Sequence, residues 1–132
     1  MRVNSSMTVF NRHADPLTKN VTYKSHIIEN VFWDNSKGVN LDKGYDKADS
    51  VNAYVPLMQN DMTDYVPPRQ YDGSSNKWTL AEGDYIVRGN VNIAEINKIQ
   101  DISSIYDTFI ITVCDLKDFG SQSLQHFEIR GK

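Results

Sequence analysis

This sequence predicts an all-β protein: a small barrel or sandwich of about six to seven short strands, with long loops and at most one short helix. Three observations carry that expectation. Residues 108–114, Thr-Phe-Ile-Ile-Thr-Val-Cys, are a dense β-branched and aromatic run, the composition that fits a pleated, buried surface. Residues 126–130 alternate cleanly, with His126, Glu128 and Arg130 on one face and Phe127 and Ile129 on the other. Between such runs the chain is cut by clusters of Asn, Asp and Ser, whose side chains bond locally to the backbone and favour turns.

Taken in order, residues 8–11 read as a short strand or arm, broken at Asp15-Pro16 because a residue before proline is pushed out of the helical region. Residues 21–33 form the longest strand candidate. Val21, Tyr23, Ser25 and Ile27 share one face, and Thr22, Lys24, His26 and Ile28 the other, until Glu29-Asn30 interrupts the alternation as a bulge or bend. A turn is expected over residues 34–38, with Gly38 free to take positive φ. Residues 39–49 are polar and charge-alternating, hence an exposed loop. Residues 50–57 make another strand, which Pro56 either ends or holds at an edge.

Residues 58–77 contain Pro67-Pro68 and the cluster at 72–76, and lack periodicity. So long a loop is unusual in a compact domain unless it has a function. The segment is therefore expected to be dispensable for folding. Residues 85–88, with 91–96 after them, are further strand candidates. Ile99, Ile102 and Ile105 recur at helical spacing and predict one or two turns packed on the core. Phe109, Ile111 and Val113 are expected to form one wall of that core, with Phe127 and Ile129 against it.

The 132 residues make a single β domain, 1–132, able to bury roughly two thirds of its unfolded surface. Residues 1–7 are set apart as a flexible or alternative start at Met7, and no signal peptide is read there. Mean hydropathy of -0.52 is low, in keeping with much loop. A net charge of -3 without clustered Lys or Arg excludes a tight grip on nucleic acid, which requires cations to displace counterions from phosphates. No apolar run nears the ~18 residues of a membrane span, so no membrane is expected. Cys114 is the sole cysteine, and reads as a small buried hydrophobe.

Three segments carry a resemblance. They are residues 106–132, which include Asp118-Phe119-Gly120-Ser121 and Gln125-His126; residues 8–12 with 23–33; and residues 78–89, Trp-Thr-Leu-Ala-Glu-Gly-Asp-Tyr-Ile-Val-Arg-Gly. Collinear from Met7 onward, they resemble small minor capsid proteins, head–tail connector components, of tailed phages and prophages from Gram-positive hosts. The resemblance implies a structural subunit of a homo-oligomeric neck ring, placed at the head-completion or stopper layer and helping to retain packaged DNA. It also implies a virion location, assembly in the bacterial host cytoplasm, a portal or adaptor protein on the head side, and a tail terminator or tail tube on the other. DNA would pass through the lumen without specific binding. Alternatives are a tail terminator or another neck layer and, in a different class, a small cytoplasmic β-barrel that binds a ligand or peptide.

The residues themselves offer no enzyme, no cofactor site and no metal site. Asp118-Phe119-Gly120 spells a kinase triplet without the glycine-rich loop, strand lysine and catalytic loop that give it meaning. From Asp34, Gly38 falls one place too early for a calcium loop, and Tyr45 stands where a glutamate is needed. His13, His26 and His126 are far apart, the last two expected to face outward on strands. Asp115, Asp118, Glu82 and Asp84 sit beside turn residues and read as solvated caps.

The aromatic residues say more. Phe32 and Trp33 are adjacent, so one must leave the core face, while Tyr45 and Tyr54 lie in or near polar loops. These four are the interface candidates. For a loop facing a DNA lumen the candidates are residues 39–49 and 58–77. The second is favoured, with Asp61, Asp64, Tyr65, Arg69, Tyr71 and Asp72 as its gate residues. Its first half is acidic, and acidic groups repel a duplex over about 8 Å at physiological salt.

Overall fold

The computed structural model describes residues 2–36, 50–74 and 76–132. The turn expected at Gly38, the loop 39–49 and Tyr45 lie outside the described residues. Among the described residues there are seven antiparallel strands: β1 (Ser5–Ala14), β2 (Val21–Ser36), β3 (Ser50–Pro56), β4 (Tyr85–Arg88), β5 (Glu95–Ile96), β6 (Thr108–Lys117) and β7 (His126–Gly131). One four-residue helix, α1 (Gln100–Ser103), precedes β6. The pairing order runs β1-β4-β6-β7-β3-β2, and β1 also pairs with β2. Six strands therefore close on themselves as a barrel, while β5 hangs on the outer edge of β2.

Two strands make the corners. The first half of β2 pairs with β1 and its last residues with β3. Between them Met7 pairs Ile28 and Ser5 pairs Val31, so β2 carries one residue more than β1 across Glu29-Asn30. This is the interruption expected from the alternation. An extra unpaired residue bends the strand and sharpens its twist, which turns β2 from one sheet into the other. In β6 the shift lies between Ile111 and Val113. Thr112 is the added residue, and the strand passes there from β4 to β7.

The β6 bulge corrects one expectation. Phe109 and Ile111 are buried in the core, but Val113 falls out of phase, and Cys114, opposite Ile129, packs against the core instead. Phe127 and Ile129 face inward as their alternation requires. The interior joins Met7, Val9 and Ile28 to Val51, Val55 and Ile86. A smaller cluster of Phe10, Val87, Val91, Ile96 and Ile102 lies outside the barrel, where residues 89–106 fold back over β1 and β4. Phe10 and Val9 are adjacent and both fully buried, since each face of β1 is covered. Ile102 anchors α1 and Ile99 packs beside it, but Ile105 is 69% exposed, so the helical period ends one position early.

Residues 58–77 also depart from the expected free loop. Tyr65 forms an isolated parallel bridge with Trp78, and its ring packs on Trp78 and Phe127. Leu57 and Met62 pack on the core as well. The Pro68–Gln70 turn of 3-10 helix follows Pro67, which pre-sets the backbone. Gly73 has φ +82 and passes so close to His13 that a Cβ would sit 2.5 Å from the ring, leaving room only for glycine. The segment is part of the folded wall.

Candidate functional site

The expected gate residues separate into two groups. Asp61, Asp64, Arg69 and Asp72 are exposed, whereas Tyr65 and Tyr71 are half-buried and turned toward the barrel. The Tyr71 ring meets His13 edge-on at 6.2 Å. The Thr63 side chain and N–H bond to Asp61, and the Ser74 N–H and side chain to Asp72, which holds both carboxylates below their usual range. Among the interface candidates, Phe32 and Tyr54 pair across β2 and β3 as half-buried neighbours. Trp33 is corrected: it is 3% exposed, lies against Phe109, and donates its indole N–H to Asn35 Oδ1 at 2.6 Å, making it a core residue.

Two surface features stand out. The first is the tip of the β6–β7 hairpin. Leu116, Phe119 and Leu124 are 47%, 72% and 60% exposed. Gly120, at φ +82, makes the turn between them. Phe119 and Leu124, with Lys117, Gly120, His126 and Glu128, line an open groove of about 450 Å³. Met58, 64% exposed, follows Leu57, whose N–H bonds to Gln125 O beside the same tip. Large apolar side chains are thus collected at one turn rather than scattered singly. From the sequence Asp118-Phe119-Gly120 reads as a bare turn, and Phe119 is not among the expected interface residues. Its signal was there, an aromatic placed next to Gly and Ser where no core face requires one.

The second feature is a cleft of about 240 Å³ beside β2, lined by His26, Ile27, Ile28, Glu29, Asn30, Gln59, Asn60, Asp61, Asp64 and Trp78. His26 pairs with Val9 and so shares its inward face, contrary to the outward position expected. It stacks on Trp78 at 4.3 Å with only 9° between the rings. Burial lowers the His26 pKa, and the nearby Asp64 and Asp61 carboxylates pull it back up. The Trp78 ring is 2% exposed, and its Nε1 has no hydrogen-bond partner.

A buried polar knot fastens the 79–84 segment to β1. Asn11 Nδ2 donates to Thr79 O at 2.7 Å and to Asp84 Oδ2 at 2.8 Å, while Asn11 Oδ1 accepts from Thr79 N. The Arg12 N–H donates to Asp84 Oδ1 at 3.0 Å. Asp84 is 3% exposed, which corrects its reading as a solvated cap. Burial pushes its pKa up to about 6 against the lowering effect of these bonds. Cys114 is likewise pushed up to about 12, by burial and by the surrounding Asp115, Asp84 and Glu82 charges. Among the described residues no three His, Cys, Asp or Glu side chains converge as a metal site. Among the described residues no helix is long and apolar enough to cross a membrane.

The fold and its surface define a small closed β-barrel with an apolar hairpin tip and an acidic, aromatic cleft. Compared with known proteins, residues 2–132 match a family of unknown function, DUF6751, and the chain belongs to that family. No curated protein and no solved structure matches.

Proposed function

We propose that the protein is a structural, non-catalytic subunit of a tailed-phage head–tail connector. It forms a homo-oligomeric ring at the head-completion or stopper layer, between a portal or adaptor above and a tail terminator or tube below. The observation that carries this reading is the hairpin tip. Phe119 and Leu124 stand exposed within the same Asp118-to-His126 segment through which the resemblance to minor capsid proteins runs. Closure of the barrel supports it further, because six of the strands leave few edges for assembly and tips must serve instead. A tip that meets a different surface on the next copy makes a heterologous contact, and such contacts close into rings or grow as fibres.

In this role the exposed carboxylates Asp61, Asp64 and Asp72 face the passage. They keep DNA from adhering while the ring holds it in place. Light scattering on the size-fractionated protein tests the assembly. A mass several times 15.1 kDa is expected, falling to that of one chain when Phe119 and Leu124 are both replaced by Ser. A wild-type protein that stays at one chain's mass across concentration removes the ring.

A further inference from the structure

The corner that bends β2 leaves part of its edge unpaired, beside the acidic cleft. Ser25 N donates to Ala94 O at 2.9 Å, on the side of β2 away from β1. In an antiparallel ladder successive residues alternate edges, so Ile27, two residues on and opposite Thr8, also turns its N–H and C=O away from β1. At the far end Asn30 N is bonded to Asn60 Oδ1. Ile27 lies between these two closures, and neither β3 nor β5 reaches it. It lines the 240 Å³ cleft on one side and, on the other, a second hollow formed with Ser25, His26 and residues 91–94.

We infer that this gap accepts an extended, basic peptide segment of a partner protein as an added strand. Its backbone pairs with Ile27, and cationic side chains enter the cleft beside it. Strand addition gives affinity through main-chain hydrogen bonds, and specificity through pockets for alternate side chains. A residue opposite Ile27 shares its face, so the flanking residues point to the face of His26 and Ile28. There the cleft offers Glu29, Asp61 and Asp64, with the His26–Trp78 stack as its floor. Among the described residues no Lys or Arg lines it. Lys77 Nζ lies 3.9 Å from Asp64 Oδ1 with both groups substantially exposed. A guanidinium matches this set by charge, and its planar face suits the aromatic floor.

The cleft shares no lining residue with the hairpin-tip groove, and the inference does not rest on the ring, since a single chain would bind as well. The probe is acetyl-Thr-Arg-Val-Arg-Thr-amide, titrated into the 15N-labelled full chain. Amide shifts are expected at Ile27, Asn30 and the Trp78 indole. N-methylation of the central valine, or Glu in place of both Arg, should weaken binding at least about tenfold, a loss of about 1.4 kcal/mol. The exposed double variant Asp61→Asn, Asp64→Asn should do the same to the parent peptide while leaving the fold intact. Absence of shifts with the parent peptide, shifts elsewhere on the barrel, or equal affinity for the Glu peptide would each overturn the inference.

Discussion

The Asn60 side chain satisfies both backbone groups of Asn30: its Oδ1 accepts the Asn30 N–H at 3.0 Å, and its Nδ2 donates to the Asn30 carbonyl at 2.7 Å. The same Nδ2 also donates to Pro56 O at 2.9 Å. A side-chain amide thus stands in for a strand at the β2 corner and ties it to the end of β3. Each such bond contributes about 1 kcal/mol net, and loss of both donor and acceptor strands partly buried backbone groups. Asn60→Ala should therefore cost about 2–3 kcal/mol in urea unfolding. A cost below about 0.5 kcal/mol would show that water replaces the amide without penalty.

Replacing residues 58–77 by a short Gly-Ser linker should damage the fold. The replacement removes Asn60 and strips Tyr65 and Met62 from the core. Together these losses amount to at least ~3 kcal/mol, so the melting temperature should fall by about 10 °C or more. A small shift would return the segment to the status of a dispensable loop.

Stability should fall as pH rises from about 4 to about 6. The Asp84 carboxyl is pushed up to about 6 in the fold from 3.8, so in that window the folded state holds a proton that the unfolded state has lost. Its stabilising effect is complete below the unfolded value and gone above the folded one. Over the whole window the change is about 3 kcal/mol. Urea midpoints should show the protein about 1–2 kcal/mol more stable at pH 5 than at pH 7.5. In Asp84→Asn that difference should vanish or reverse, because His26, whose pKa burial lowers, makes the fold more stable as pH rises through the ordinary imidazole range.

Ile111→Ala should destabilise by about 2–5 kcal/mol, since Ile111 is 1% exposed in the core. Val113→Ala, two residues on but past the bulge, should cost under about 1 kcal/mol. Equal costs measured by denaturant titration would place both on one face and deny the Thr112 bulge.

The pattern of apolar residues determined the fold class and most of the strands. Alternation over β2 and β7, and the β-branched run in β6, are local properties that reappear because a pleated strand must put every second side chain on one face. Even the β2 bulge was legible, since Glu29-Asn30 breaks the alternation in the sequence itself. The β6 bulge was not. Ile110, Ile111, Thr112 and Val113 all suit either face, so only the register of β7 decides which residue is extra.

Burial of Trp33, Asp84 and His26 was hidden for a related reason. Each owes its surroundings to a segment distant in sequence: Trp33 to Phe109, Asp84 to Asn11 and His26 to Trp78. Residues 58–77 lack periodicity because they neither pleat nor coil, and periodicity reports only those two states. They hold their place through single anchors such as Asn60, Tyr65 and Gly73, whose partners lie on other strands. The sequence by itself determined where most strands lie, but it set residues 1–7 apart as a flexible start, whereas β1 begins at Ser5 and Met7 is fully buried. Only the closing of the barrel decided which of the remaining residues it would trap inside, because that depends on what meets across the fold and not on what is adjacent in the chain.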